Sequence, residues 1–421
     1  MKALYGKSDR PEKAEDHRES GITLRVKDPT DETQIRPDKY SQKTKEMRAI
    51  QLFLLLIFSQ FALLSVGQNT HEEPKTLEIG QSAPDFSLKG TDGKLYSLNS
   101  FSKARALVII FSANHCPTAQ AYEDRIISIT NDYKPKGVEV LLISSNDNHA
   151  LSLSELGYTD LGDTFEDMVI RYKNKKYNFP YLYDSDDQKT ALAYGPVATP
   201  HAFVFDADRR LQYVGRIDQS EKPGTANGED LRNAIDAVLS GKKPDQASTK
   251  VFGCSMKWSW KKDYTEQLYK KWAALPVSIN EISADGVKEL IQNKGQKLRL
   301  INVWATWCGP CTMEFPDFVV IDRMYRGRDF EFVSISTDKP ERKEKALSFL
   351  KEQEASNNNY IFSGSDIYQL IEAVDPEWKG ALPYTLLVEP GGKIIYRQQG
   401  TIDPLKLKRM IVDHPMIGRY F

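Results

Sequence analysis

Apolar residues gather in two runs that lie far apart in this chain of 421 residues. One run spans residues 106–111 and the other spans residues 298–304. Each has the length of a strand. The first run is apolar throughout, the second contains Arg299 and Asn302 among its apolar residues, and a largely apolar run of that length is typical of a strand buried on both faces of a sheet. After the second run, apolar residues recur at helical spacing at Phe315, Phe318 and Met324. The pattern predicts a buried strand followed by a helix, and the first run predicts the same unit.

Both units are followed by the same predicted elements in the same order. Downstream, the order is a strand at 330–335, a helix, and a hairpin of strands 384–388 and 393–397. Upstream, the order is a strand at 138–144, a helical region, a hairpin of strands 201–205 and 211–215, and a helix from about 229 to 239. A repeat of this kind indicates that one fold is present twice. The predicted fold class is α/β, with a central mixed β-sheet flanked by helices in each copy.

The first 67 residues do not share this pattern. Residues 1–46 are polar and charged, so they lack the apolar residues that a core requires. Around residues 47–67, basic residues, an apolar run and a small-residue end follow one another, which is typical of a secretory signal peptide cleaved near Gly67. An uncleaved membrane anchor is the alternative. We expect Met47 to be the true start and the segment before it to be an upstream misreading, unless that segment is a genuine cytoplasmic tail.

Composition places the rest of the chain among ordinary globular proteins and argues against some functions. Apolar residues make up 40% of the chain and charged residues 27%. The net charge of −1 gives no indication of a nucleic-acid partner or of an anionic membrane surface. The 4 cysteines are too few for a disulfide scaffold, so we interpret them as groups that do chemistry.

The first candidate for chemistry is the motif Trp307-Cys308-Gly309-Pro310-Cys311, which lies between the second apolar run and its helix. Two cysteines at this spacing can close a disulfide ring. At a helix N-terminus, the free backbone N–H groups and the helix dipole stabilise a thiolate. The thiolate is the nucleophile of disulfide exchange, so the motif predicts a redox site.

A zinc site is the alternative interpretation of two cysteines at this spacing. It requires a second pair of ligands, and the other cysteines, Cys116 and Cys254, have no partner at ligand spacing. We therefore expect neither a metal nor a cofactor.

The run from Cys308 to Pro316, with the sequence CGPCTMEFP, resembles the TlpA/ResA-like branch of exported thiol-disulfide oxidoreductases in the thioredoxin superfamily. The resemblance covers roughly residues 276–421. It implies a thioredoxin-like fold in which Cys308 attacks a substrate disulfide and Cys311 resolves the mixed disulfide.

One departure from ordinary thioredoxins concerns the acid or base that serves Cys311. Ordinary thioredoxins carry a buried Asp in the strand before the motif, and this chain has Asn302 there. The resemblance assigns the acid–base role to Glu314, one helical turn beyond Cys311. The alternative is an exposed first-turn carboxylate that the helix dipole favours.

A cis-proline faces the cysteine pair in thioredoxin folds and presents its backbone to the substrate. The order of the elements puts Pro383 at this place in the downstream copy and Pro200 in the upstream copy. The resemblance therefore implies a set of substrate-binding residues around each cysteine site. They are Trp307, Pro310, Leu382, Pro383, Thr199 and Pro200.

The upstream copy carries runs at 80–86 and 111–125 that resemble peroxiredoxin-like AhpC/TSA domains, in particular a redoxin subfamily whose hallmark is Cys-Asn-His-Cys-Pro. The resemblance covers roughly residues 76–258. Here the first cysteine of the hallmark is Ala113, so a local disulfide partner and a hydrogen-bonding side chain are both missing. Cys116 remains at a helix N-terminus beside His115, which favours a thiolate. A buried, inert cysteine is the alternative.

Cys254 belongs to a Gly-Cys-Ser-x-Lys-Trp tail that the same subfamily resemblance includes. The resemblance makes it a resolving partner for Cys116, and an unpaired linker thiol is the alternative. His201 follows Pro200 and is expected near Cys116. We predict a peroxiredoxin-like thioredoxin-fold domain at 76–240, a linker at 241–275 and a TlpA/ResA-like thioredoxin domain at 276–421. In the linker, aromatic residues predict either a docking surface or an amphipathic helix packed on its own domain.

Three hypotheses for function follow. The first is an exported, periplasmic thiol-disulfide oxidoreductase that acts on disulfide-containing proteins and, as the family implies, takes electrons from a membrane thiol transporter. The second is a thiol peroxidase with Cys116 as the peroxidatic cysteine, Cys254 as the resolving one and the downstream domain as its reductase. In the third, the upstream domain is a docking module without chemistry.

Overall fold

The computed structural model describes residues 72–184 and 187–419. The segment 1–46 and the predicted signal peptide at 47–67 lie outside the described residues. Within the described ranges, no helix is both long enough and apolar enough to cross a membrane.

Strands and helices alternate in the first half, as the apolar runs predict. The strands are β1 (Ser87–Gly90), β2 (Leu95–Ser97), β3 (Ala106–Ser112), β4 (Val138–Ser144), β5 (Tyr181–Tyr183), β6 (Ala198–Thr199), β7 (His201–Phe205), β8 (Leu211–Gly215) and β9 (Cys254–Ser255). The helices are α1 (Pro117–Tyr133), α2 (Phe165–Lys175), α3 (Lys189–Tyr194), α4 (Glu229–Leu239) and α5 (Lys262–Ala273).

The second half repeats this alternation. Its strands are β10 (Asn280–Ile282), β11 (Leu298–Trp304), β12 (Phe330–Ser336), β13 (Asn358–Phe362), β14 (Tyr384–Val388) and β15 (Ile394–Gln399). Its helices are α6 (Ala284–Gln292), α7 (Gly309–Tyr325), α8 (Lys343–Glu352), α9 (Ile367–Val374) and α10 (Pro404–Val412).

The two main sheets share one topology. The first has the strand order β2-β1-β5-β4-β3-β7-β8 and the second has the order β10-β13-β12-β11-β14-β15. In the first sheet, β3, β4 and β5 run parallel to one another, β7 pairs antiparallel with β3, and β8 pairs antiparallel with β7. The second sheet repeats this arrangement with β11, β12 and β13 as the parallel strands and β14 and β15 as the antiparallel ones. The predicted fold class, two tandem thioredoxin-like folds with mixed sheets flanked by helices, is confirmed.

Each central strand is buried because helices cover both faces of its sheet. In β3, Val108 and Ile110 belong to one apolar cluster, while Leu107 and Ile109 belong to another. Strand β11 divides its side chains between two clusters in the same way. This is why both strands appear in the sequence as largely apolar runs rather than as alternating ones, although β11 also contains Arg299 and Asn302. Both strands end at an edge of the sheet where a cysteine-bearing turn leads into a helix.

The interval 241–275 contacts both halves. Strand β9 pairs with β6, which adds Cys254 to the first half, and Trp258 is buried there with 1% of its surface exposed. Helix α5 follows, and its Trp272 ring lies under the Arg323 guanidinium of α7 at 5.4 Å. The Tyr264 ring of the same helix is exposed.

Candidate functional site

The downstream cysteines lie where β11 gives way to α7. Cys308 is the N-cap of α7, and its Sγ accepts a hydrogen bond from the Cys311 backbone N–H at 3.3 Å. Cys308 and Cys311 form a disulfide, with 5.3 Å between their Cα atoms. Pro310 lies in the first turn, where a missing N–H leaves no helical hydrogen bond unmade. The helix N-terminus therefore directs its positive end at the Cys308 sulfur.

The two sulfurs differ in access. Cys308 is 6% exposed and Cys311 is 1% exposed, so an incoming sulfur reaches Cys308 first. Trp307 stands beside the pair with 62% of its surface exposed. The turn that carries them is fixed by Asp338, whose carboxylate accepts hydrogen bonds from the Thr306 backbone N–H and hydroxyl, both at 2.8 Å.

Glu314 lies one turn beyond Cys311 on the buried face of α7. It is only 6% exposed, and its Oε2 accepts a hydrogen bond from the Ile402 backbone N–H at 2.9 Å. The alternative of an exposed first-turn carboxylate is therefore wrong. Burial raises the pKa of Glu314 to about 7, and hydrogen bonds from Ile402 and Asn302 offset only part of that rise. A carboxyl group with this pKa can both take up and give off a proton near neutral pH.

Asn302 is buried in β11, where ordinary thioredoxins carry an acid. Its Nδ2 donates a hydrogen bond to the Thr385 hydroxyl on the neighbouring strand β14 at 3.2 Å. The amide of Asn302 does not titrate. Of Asn302 and Glu314, only Glu314 can therefore exchange a proton with Cys311.

A crevice of about 650 Å³ opens next to Trp307, the residue before Cys308, and its wall also contains Trp378 and another expected substrate-binding residue, Leu382. The Leu382–Pro383 peptide bond is cis, and so is the Thr199–Pro200 bond of the first half. Both prolines immediately precede a central strand of their sheet.

The upstream cysteine repeats the helix-capping geometry in a buried setting. Cys116 is the N-cap of α1 and is fully buried. Its Sγ accepts a hydrogen bond from the Ala119 backbone N–H at 3.3 Å and donates one to the Thr199 carbonyl at 3.1 Å. Because β9 pairs with β6 in the register Thr199 to Cys254, Cys254 packs against Cys116. Both thiols are free.

Charge and hydrogen bonding favour a thiolate at Cys116. Burial by itself raises the pKa of Cys116, but a hydrogen bond from the Cys254 thiol and the charge of His115 outweigh burial and lower the pKa to about 6. The hydrogen bond to Cys116 raises the pKa of Cys254 above its usual range. The pKa values of the two thiols are thus shifted in opposite directions, so Cys116 is the thiol that more readily becomes a thiolate.

A buried carboxylate raises the pKa of His115. Its Nδ1 lies 2.6 Å from Asp163 Oδ2, and its backbone N–H donates to Asp163 Oδ1 at 3.0 Å. Burial lowers the pKa of His115, but the carboxylate outweighs burial and raises it. Asn146 adds a hydrogen bond from Nδ2 to Asp163 Oδ2 at 2.8 Å and accepts another from the Lys257 backbone N–H at 2.9 Å.

His201 has a different environment. Its Nδ1 accepts a hydrogen bond from the Val197 backbone N–H at 3.3 Å, and its ring packs on Phe203 at 4.7 Å. Burial lowers the pKa of His201 to about 3, so the ring is neutral at physiological pH.

Sequence reasoning missed Asp163 and Asn146. Asn146 follows the end of β4, and a polar residue just beyond a buried parallel strand is a signal that was available. Asp163 lies in an irregular loop, 48 residues from His115 along the chain, and no local pattern marks it.

Comparison with known proteins gives two family matches and several relatives. The AhpC/TSA family model matches residues 79–214, and the Redoxin family model matches residues 278–410. The chain is similar to the thiol-disulfide oxidoreductase ResA of Bacillus cereus (strain ATCC 10987 / NRS 248), at 22% identity over 40% of this chain and 86% of that protein. It is similar to ResA of Bacillus subtilis (strain 168), at 30% identity over 27% of this chain and 59% of that protein.

Among solved structures, a hypothetical protein from Sinorhizobium meliloti 1021 is 35% identical to this chain, with a TM-score of 0.40. The match covers 44% of this chain and 97% of that one. The family matches agree with the two sheets and with the positions of the two cysteine-bearing turns. The chain therefore carries an AhpC/TSA-family domain followed by a Redoxin-family domain, and it is an oxidoreductase built from two thioredoxin-like folds.

Proposed function

We propose that the chain is an exported thiol-disulfide oxidoreductase that reduces or exchanges disulfides in other proteins through Cys308 and Cys311. The observation that carries the proposal is the geometry of the pair: Cys308 caps a helix, is the more exposed of the two sulfurs, and lies beside the exposed Trp307 and a wide crevice. The signal-peptide pattern at 47–67 supports export.

In the proposed reaction, the reduced pair begins the cycle. The Cys308 thiolate attacks one sulfur of a substrate disulfide and forms a mixed disulfide, and the other substrate sulfur leaves as a thiol after taking up a proton. Cys311 then loses its proton to Glu314 and attacks the Cys308 sulfur. The second substrate sulfur leaves, and two electrons have passed to the substrate. The pair ends in the disulfide form, and a membrane thiol transporter reduces it again.

The burial of Cys311 supports a role for Glu314 in the second step. Cys311 is 1% exposed, so water does not remove its proton readily. Glu314 lies one turn away in the same buried face, and its pKa of about 7 lets it accept that proton and return it to the leaving thiol.

The test measures reduction of an insulin disulfide by the purified mature chain with a chemical reductant as the electron source. We expect activity in the wild type and in Cys116→Ser, and none in Cys308→Ser. Full activity in Cys308→Ser would refute the proposal, since only that sulfur is placed to attack.

A second function is favoured by a separate observation, the packing of Cys254 against Cys116 beside His115, whose ring contacts the Asp163 carboxylate. We propose that this site is a two-cysteine thiol peroxidase. The Cys116 thiolate attacks one peroxide oxygen, the other oxygen leaves as water or an alcohol, and Cys116 becomes a sulfenic acid. The Cys254 thiol then attacks the sulfenic sulfur and releases water. A Cys116–Cys254 disulfide results, and it needs two electrons from a dithiol.

Two features bear on this second function. Ala113 supplies no hydrogen bond to the peroxide, which predicts slow turnover. Full burial of Cys116 admits only a small oxidant. Peptide mapping after hydrogen peroxide treatment tests the proposal. A Cys116–Cys254 disulfide is expected. If both thiols stay free, the peroxidase proposal is wrong and the docking-module hypothesis is left for this domain.

The position of the Cys308–Cys311 pair does not favour direct electron transfer to the Cys116–Cys254 pair of the same chain. The last residue of α7, Tyr325, donates a hydrogen bond to the Thr159 carbonyl of the first domain at 2.7 Å. Cys308 caps the other end of this 17-residue helix, about 25 Å away. Since the helix holds the pair at the end remote from that contact, we propose that electrons reach the first domain from another molecule.

A further inference from the structure

An irregular loop between the two domains makes contacts on both sides. We define the docking loop as residues 157–163, which contain no helix or strand. Its first four residues are held by the second domain. Arg328 donates from Nη1 to the Gly157 carbonyl at 3.2 Å and stacks over the Tyr158 ring at 3.9 Å, and the Tyr325 hydroxyl donates to the Thr159 carbonyl.

The strongest of these contacts is a buried ion pair. Asp160 is 4% exposed and accepts from Arg409 Nε and from Arg419 Nη2, both at 2.8 Å. Both arginines that hydrogen-bond to this carboxylate belong to the second domain, whereas Arg171 of the first domain acts on it by charge alone and is itself paired with Glu123. Burying an unpaired charge is costly, so an undocked loop would move to bring Asp160 into water.

The other end of the docking loop is held by the Cys116 site. Asn114 donates from Nδ2 to the Gly162 carbonyl at 2.8 Å. Asp163 then accepts from the backbone and the ring of His115. Only two residues separate Asp160 from Asp163. A movement of the backbone at Asp160 is therefore expected to shift Asp163 as well.

We infer that the second domain is a structural part of the Cys116 site, with Arg409 and Arg419 as positioning residues that act through the docking loop. The inference rests on the proposed reactivity of Cys116. The charged groups that face the thiol pair are His115, Asp163 and Lys257. Of these, Asp163 is the one whose backbone belongs to the docking loop. Loosening the loop therefore weakens the Asp163 contact that favours the protonated form of His115 and makes the Cys116 thiolate less favourable.

The experiment uses the full mature chain with Cys308→Ser and Cys311→Ser, so that Cys116 and Cys254 are the remaining thiols. Thiolate absorbance near 240 nm is followed against pH, which needs no catalytic activity. The parent should show its first deprotonation near pH 6. Adding Arg409→Ala should raise this midpoint by about 1 pH unit, the lower end of what a lost charge contact causes. Adding Arg409→Lys instead should restore much of the parent behaviour.

The matched control is Arg397→Ala. Arg397 is 37% exposed and pairs with the 1% exposed Asp375, whereas Arg409 is 36% exposed and pairs with the 4% exposed Asp160. Both changes remove one arginine from a buried aspartate of the same chain, but Arg397 does not touch the docking loop. The control should leave the midpoint unchanged. Equal shifts in both variants would overturn the inference, because a general loss of stability would explain them.

A second measurement covers the case in which Arg409→Ala does not fold. Tyr325→Phe removes the hydroxyl that donates to the Thr159 carbonyl and, within the second domain, to the Lys408 carbonyl, and it should raise the midpoint in the same direction by less. Hydrogen exchange at the His115 amide, which donates to Asp163, should speed up in parallel. A parent midpoint near 8.5 would reject both the reactive Cys116 and the inference. A low parent midpoint that stays unchanged in both variants would reject the inference alone.

Discussion

Replacing Glu314 by Gln separates the chemical role of this residue from its effect on stability. Glutamine keeps the size of the side chain and an oxygen that accepts from the Ile402 N–H, but it does not titrate at this pH. Two results are expected together: slower turnover and a folded state that is more stable at alkaline pH. A residue retained only for packing would give neither.

The stability effect follows from the pKa. Burial raises the folded-state pKa of Glu314 from the ordinary value of 4.5 to about 7. The protonated form is therefore favoured by folding, and its contribution is complete below about pH 4.5 and is lost as the pH rises through 7. The gap corresponds to at most about 3 kcal/mol, which solvent screening near the site reduces to about 2 kcal/mol. Glu314→Gln should match the wild type at pH 4 and exceed it by about 2 kcal/mol at pH 8.

The kinetic effect concerns the step in which Cys311 loses its proton. Without a carboxylate, we expect kcat for insulin reduction to fall about 10- to 100-fold, an effect at or below the lower end of the usual range for general acid–base catalysis. The wild-type pH–rate profile should contain an ionisation near 7, and the Glu314→Gln profile should lack it. Urea unfolding at pH 4 and pH 8 measures the stability half of the prediction.

The control is Glu352→Gln, which changes an exposed carboxylate on α8. It should alter neither the pH–rate profile nor the pH dependence of unfolding. If Glu314→Gln retains the ionisation near 7 and the wild-type rate, Glu314 is not the acid or base. If its stability does not gain on the wild type between pH 4 and pH 8, the explanation by burial is wrong.

Three further predictions concern the division of labour among the cysteines and their neighbours. Cys311→Ser should trap mixed disulfides between Cys308 and its substrates on a non-reducing gel, and equal alkylation of both reduced thiols at neutral pH would contradict the assignment. Trp307→Ala should raise KM for a protein disulfide about threefold or more with little change in kcat. The reason is that the exposed ring binds the substrate equally tightly in the ground state and in the transition state. A loss confined to kcat would contradict this. Reduction of an oxidised Cys116–Cys254 pair by reduced second domains should speed up in proportion to protein concentration, and a concentration-independent rate would instead support transfer within one chain.

The sequence alone determined the fold class and the downstream redox pair. Strands β4, β7, β8, β11 and β14 and helix α4 have the bounds that the apolar pattern predicts. These elements could be predicted because their signals are local: a run of apolar residues, a turn, or a helical period lies within a few residues of the element itself. The place of Cys308 at a helix N-terminus follows from the same local order, strand, motif and helix.

Only the tertiary structure decided how the candidate sites are built. Glu314 is buried because Ile402, 88 residues away, closes over it, and the alternative of an exposed carboxylate could not be rejected from helix position alone. The pKa of His115 is raised because Asp163 reaches it from an irregular loop, and that loop is held by arginines 249 and 259 residues from Asp160. Burial and ion pairing depend on which distant segments meet, and residue spacing along the chain does not record this. The sequence therefore identified the sulfur atoms, and the packing of distant segments set their protonation and access.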